Sequence, residues 1–160
     1  MDYVPNNRVV QLEGFAEFEQ QLIAMAQGFK ADAVARNTLV KAAAVAMQPV
    51  YNQVLATAPY DEKNTGPIHL RNTTDLKARI PTAQDHKSGY VNETDAAIAV
   101  VSVKKSAVSL AQEFGTRRMA GQPFLRRALD SNMDVVLTIL KSELGHLIPA
   151  YAARLARKKK

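Results

Sequence analysis

The sequence predicts an α+β fold, with a small antiparallel sheet of three to four strands in mid-chain and helices packed on one face. Two helices precede the sheet and one follows it. Three observations carry this reading. Apolar residues recur at spacings of three and four before residue 57 and again after Pro123. Between those stretches lie short alternating or β-branched runs. The helices are segregated to the two ends of the chain, as α+β folds have them. With 160 residues and no internal repeat, the chain reads as a single domain, 1–160, with an N-terminal arm at 1–11 and a basic C-terminal tail at 150–160.

In the arm, Pro5-Asn6-Asn7 breaks any helix. From Leu12 the pattern turns helical. Leu12, Phe15, Phe18 or Glu19, Leu22, Ile23 and Ala26 make one apolar stripe, and Glu13, Glu17, Glu19, Gln20 and Gln21 fill the other face. Gly28 is the expected stop. A second, Ala-rich helix is predicted over 31–56, with Val34, Leu39, Ala42, Ala43, Ala46, Val50 and Val54 facing inward and a kink or break at Pro49. Residues 58–75 collect Pro, Gly, Asn, Asp and Thr, the chemistry of a long loop.

Leu76–Ile80 alternates with period two and reads as a strand ended by Pro81. Gln84–Gly89 reads as a polar turn, Tyr90-Val91 as a short strand, Ala96–Val103 as the most β-prone run, and Val108–Ala111 as its continuation. From Pro123 the helical period returns through Phe124, Leu125, Ala128, Leu129, Met133, Val136, Leu137, Leu140, Leu144, Leu147 and Ile148. Gly145 and Pro149 weaken its far end, leaving at most a basic turn or two beyond.

Composition narrows the function. Hydrophobic residues make up 47% and aromatics only 6%, without Trp, so the core is expected to be small and aliphatic. Cysteine is absent, which excludes disulfides, thiolate metal sites and cysteine nucleophiles. No apolar run approaches the roughly 20 residues that span a bilayer, and the start lacks a signal-peptide pattern. A soluble protein made in the cytosol, without membrane partners, is therefore expected. The net charge is +6, yet Arg154, Arg157, Lys158, Lys159 and Lys160 supply five positives in the last seven residues. Without them 16 basic residues face 15 acidic ones, so the excess is a terminal tag and not a basic folded face.

Chemistry-bearing motifs are missing. His69, His86 and His146 lack the partner spacing of a metal site and read as solvent-facing or capping residues. There is no nucleophile elbow and no phosphate-cradling glycine loop. Asp61-Glu62 and the Glu93/Asp95 pair lie in polar loop sequence, not in the split environments an acid/base pair needs. No catalytic residue, cofactor or metal is expected.

Two segments stand out: Gln112-Glu113-Phe114-Gly115-Thr116, and Gln122-Pro123-Phe124-Leu125-Arg126-Arg127-Ala128-Leu129. Pro123 suits the first helical position, where a missing N–H costs nothing, and Phe124 and Leu125 are placed to fold back on the sheet. Arg117, Arg118, Met119, Ala120 and Gly121 connect the two segments. By composition alone this is a plain strand-to-helix junction.

These residues also carry a resemblance. Ala58-Pro59, Thr65-Gly66, Leu70-Arg71, Glu113-Phe114-Gly115-Thr116 and Pro123-Phe124-Leu125-Arg126 stand in one order over roughly Leu39 to Ser131. The ordered set resembles the minor tail component family of siphophages, which includes tail-completion (neck) proteins of the lambda Z type. Two departures are visible. Pro67-Ile68-His69 lengthens the Thr-Gly to Leu-Arg interval, and Arg127 stands where the family usually has a second Pro.

The resemblance implies a non-enzymatic virion protein of a tailed bacteriophage, made and assembled in the host cytoplasm. It implies a ring, hexameric in such assemblies, that caps the tail tube and helps join tail to head. Partners would be further copies of the chain, the tail terminator, the tail tube and the head-completion or connector proteins. The motif residues then serve structure and interfaces. An alternative in the same class is a tail terminator or head–tail joining protein in an adjacent ring. From another class comes a DNA-binding accessory protein whose Arg154–Lys160 tail touches packaged DNA, or an acidic partner, through counterion release.

Overall fold

A computed structural model describes residues 33–60, 62–63, 66, 69–93 and 95–158. The arm at 1–11 and the first predicted helix lie outside the described residues. Within them the protein is α+β and mostly helical: α1 (Ala33–Thr57), β1 (Thr74–Arg79), α2 (Ala83–His86), β2 (Ile98–Val103), α3 (Ala107–Phe114) and α4 (Phe124–Lys158), with a 3-10 turn at Leu70–Thr73. No helix among them is long and apolar enough to cross a membrane.

The centre of the fold is α1. Its high alanine content favours helix and allows close approach by neighbours. Ala35, Ala42, Ala46, Val50 and Val54 are buried at helical spacing, and Ala58 extends the stripe. Val34, Leu39 and Ala43 fall outside this fully buried set; Leu39 and Ala43 are half-buried and Val34 is an exposed rim residue. Of the kink or break expected at Pro49, a break does not occur: the helix continues to Thr57. The carbonyl that Pro49 leaves without a helical donor belongs to Val45, which is exposed, so water can satisfy it.

The sheet has two strands, fewer than the three to four expected. β1 and β2 pair antiparallel, with Thr74 opposite Val103, Leu76 opposite Val101 and Arg79 opposite Ile98. Thr74, Leu76 and Ala78 point to the half-buried face, while Asp75, Lys77 and Arg79 point outward. An isolated two-stranded sheet is marginal in water, and here α1 packs against both strands.

Three predicted segments took other forms. Tyr90-Val91 is a bend after Gly89, which has φ +72°, and Tyr90 is 92% exposed. A strand there would pair with nothing and bury nothing. Gln84–Gly89 is not merely a turn: Thr82 and Asp85 form a capping box that starts α2. Val108–Ala111 is helical, because Ser106 and Ser109 form a second capping box that begins α3. Local capping outweighs the weak β preference of Val108.

The C-terminal helix packs chiefly along α1, not on the sheet as expected. Phe124, Ala128 and Val136 join Ala46, Val50, Val54 and Ala58 in the core, with Leu70, Val101 and Val103 packed against the cluster. Farther along, Tyr151 meets Ala35. That contact lies beyond Gly145 and Pro149, and the helix runs on to Lys158. Residues 150–158 are therefore the last turns of a 35-residue helix, in keeping with the basic turn or two expected beyond Pro149. Pro149 is exposed, as is Gly145, whose carbonyl it leaves unpaired.

Candidate functional site

Between α3 and α4 the chain builds a small, tightly determined clasp from the residues the sequence singles out. Ser106 begins it. The Ser109 N–H donates to Ser106 Oγ at 3.0 Å, and the Ser106 N–H donates to Ser109 Oγ at 2.8 Å. Ser109 is buried as a result, an unusual place for a serine, while Val108, Leu110 and Phe114 of the same helix are exposed.

The helix ends at Gly115, whose N–H donates to the Ala111 carbonyl at 2.8 Å. Its φ of +82° is a conformation that residues with a side chain rarely adopt. Space makes the same demand. A Cβ at Gly115 would lie 2.6 Å from the Gly121 nitrogen, and a Cβ at Gly121 would lie 2.7 Å from the Gly115 nitrogen. The two glycines let the outgoing and returning backbones touch.

Between them Thr116 and Met119 exchange backbone bonds, Thr116 N–H to Met119 O at 2.8 Å and Met119 N–H to Thr116 O at 3.4 Å. Arg117 and Arg118 are thereby set at the tip of a miniature hairpin, both exposed. The Gln122 N–H then donates to the Gln112 carbonyl at 2.6 Å and closes the base.

Glu113 fastens the clasp to α4. Its carboxylate accepts from the Leu125 N–H at 3.0 Å and the Arg126 N–H at 3.1 Å. These are amides of the first helical turn that no helical carbonyl can reach. A carboxylate there also meets the positive end of the helix dipole. Pro123 precedes Phe124, the first residue of α4, and its carbonyl accepts from the Arg127 N–H at 3.1 Å. Phe124 is buried and Leu125 half-buried against the core. Thus Glu113, Gly115, Thr116, Pro123, Phe124 and Leu125 build the frame. Phe114, Arg117, Arg118 and Met119 are what the frame displays, with Phe114 75% exposed.

The second motif lies elsewhere. Leu70 is half-buried against the core, and Arg71 is exposed in the 3-10 turn. The Arg71 guanidinium sits 5.1 Å from the Tyr60 ring centre, and Tyr60 stacks on His69 at 4.5 Å. Sequence reasoning did not pair these three. Their separation along the chain hides the stack, although Tyr60 follows the Ala58-Pro59 that closes α1. Gly66 lies in a bend, and Thr65 is outside the described residues.

The basic C-terminal cluster is divided. Arg154 lines a groove beside Tyr151 and Arg157 is exposed. Lys158 ends the helix, and Lys159 and Lys160 are outside the described residues.

The other polar clusters among the described residues are local. Asp85 accepts from the Thr82 N–H and hydroxyl, both at 2.8 Å, and from Arg79 at 2.6 Å. The Thr82 bonds, backbone first, and then Arg79 hold its pKa down at about 2. An acid so firmly ionised is a structural acceptor and a poor proton donor. Nδ1 of His86 is buried without a hydrogen-bond partner. Among the described residues no group of three or more His, Asp or Glu could hold a metal ion.

Comparison with protein-family models, with curated proteins and with solved structures finds no match. The functional reading therefore rests on the clasp and on the motif order along the chain.

Proposed function

We propose that the chain is a structural subunit of a siphophage tail or neck, assembled as a ring that completes the tail tube and helps join it to the head. The observation that carries the reading is the clasp. One exposed apolar side chain on a soluble protein is ordinary. Here Val108, Leu110, Phe114 and Met119 are all exposed on one short, rigid unit, with Arg117 and Arg118 beside them.

Leu110 and Phe114, four apart, share one helix face. Exposed apolar side chains gathered in this way suit a contact surface, and aromatic and Arg side chains supply much of the energy at such contacts. Back-to-back glycines and two capping interactions keep the clasp from folding inward. The unit is therefore preorganised, which lowers the entropy lost on association. In a closed ring each subunit presents different patches to its two neighbours, and the clasp is suited to be one of them.

The test separates folding from assembly. Arg117→Ala with Arg118→Ala, and separately Phe114→Ser, should change the stability of the purified subunit by only about 0.5 kcal/mol, as surface substitutions do. The same variants should fail to restore infectious particles to a phage lacking the gene. Full complementation by both variants would remove the clasp from assembly, and early unfolding would make it part of the core.

A further inference from the structure

At the opposite end of α4 from the clasp lies an apolar groove lined by Val34, Ala35, Leu39, Leu147, Tyr151 and Arg154. Thirty helical residues separate Phe124 from Arg154, roughly 45 Å at the helical rise. The groove is thus independent of the surface assigned to assembly. Leu144 at its base is 2% exposed and Tyr151 8%, so this end is built as core although it is framed by only two described helices.

Residues 1–32 join the chain at Ala33, directly beside the groove wall at Val34 and Ala35. The stripe of Leu12, Phe15, Leu22, Ile23 and Ala26 is an amphipathic pattern that needs an apolar partner. Gln27–Asp32, with Gly28, matches the roughly two to eight residues that link packed helices in bundles. Charge agrees. Residues 1–32 hold five acidic and two basic residues, whereas 33–160 hold 10 acidic and 19 basic, Arg154 and Arg157 among them.

We propose that segment 12–26 occupies this groove in its own chain. It runs antiparallel to α1, with its apolar stripe on Leu39, Leu147 and Tyr151 and its glutamates outward. The site is a self-docking surface that completes the subunit, and it rests on the fold, not on the ring reading.

The absence of cysteine makes a clean test. Thr38, which also lines the groove, becomes Cys together with Leu22→Cys in one full-length variant and Ile23→Cys in another. Each is treated in dilute solution with a short bis-maleimide and read by intact mass. The expected product in at least one variant is a cross-link within a single chain. A product of twice the chain mass would assign the groove to the segment of a second copy, and no cross-link in either folded variant would leave the segment undocked; both results overturn the proposal. As a second measurement, Leu22→Asp with Ile23→Asp in the full chain should lower the melting temperature by several degrees, and an unchanged melting temperature would likewise overturn it. Neither measurement involves a virion, so failure here leaves the assembly reading standing.

Discussion

Glu113→Ala removes a carboxylate that ties α3 to the start of α4. Two amides, of Leu125 and Arg126, lose their acceptor at 3.0 and 3.1 Å. Loss of a helix cap costs about 0.5–2 kcal/mol, and a favourable charge at a helix N-terminus is worth about 0.3–1 kcal/mol. Glu113 is half-buried, so its bonds are partly shielded from competing water, and the sum should reach about 1–2 kcal/mol. For a chain of this size each kcal/mol moves the melting temperature by about 2–4 °C, giving an expected fall of about 2–8 °C. Glu113→Gln keeps one acceptor oxygen without the charge and should fall between the two. The assay is thermal unfolding by far-UV circular dichroism, with amide hydrogen exchange to locate the loss at Leu125 and Arg126. If Glu113→Ala melts within about 1 °C of the parent, or exchange at those amides is unchanged, the carboxylate does not hold the helix and the clasp is not a rigid frame.

Three further outcomes follow from the packing. Phe124→Ala, at the centre of the core cluster, should cost about 3–5 kcal/mol and give a poorly soluble subunit; denaturant unfolding of any soluble fraction measures it. Gly145→Ala should stabilise by about 0.4–1 kcal/mol, because the position is mid-helix and an added Cβ meets no atom within 4 Å. Its melting temperature should rise. Because the pKa of Asp85 is lowered in the folded state, its stabilising contribution is full above the ordinary carboxylate range and is lost as pH falls through about 2. Carboxyl NMR titration of the parent should give a midpoint near 2, and Thr82→Ala should move it upward.

What the sequence revealed, and what it hid, follows from which forces act locally. The apolar stripes of α1 and α4 were legible because helical burial leaves a periodic mark: Ala42, Ala46, Val50 and Val54 were all read correctly as inward. β1 was legible from the alternation of Leu76, Ala78 and their charged neighbours. α3 was not. Val108, Ser109, Leu110 and Ala111 suit a strand by propensity, and the deciding feature is a Ser106–Ser109 capping box in which Ser stands where Glu or Gln is usual. The same device with Thr82 and Asp85 was nearer the expected pattern and could have been found.

Proline was the hardest residue to place. Pro49 and Pro149 both remain inside helices, because their orphaned carbonyls lie on exposed stretches and packing on either side outweighs the missing bond. Within the candidate site, composition read as a plain strand-to-helix junction, whereas a helix, α3, leads into it. The reach of Glu113 across twelve residues to Leu125 is a tertiary contact, and nothing local in the sequence encodes it.

On the proposed reading, this chain is a ring subunit at the head-proximal end of a phage tail. Imaging of purified virions from a phage whose genome carries this gene, joined to quantitative mass spectrometry of the same particles, tests that most directly. The account predicts several symmetry-related copies at the tail–head junction, with Phe114, Met119 and the Arg117-Arg118 tip against a neighbouring subunit. Particles that lack the protein, or hold a single copy, would contradict it.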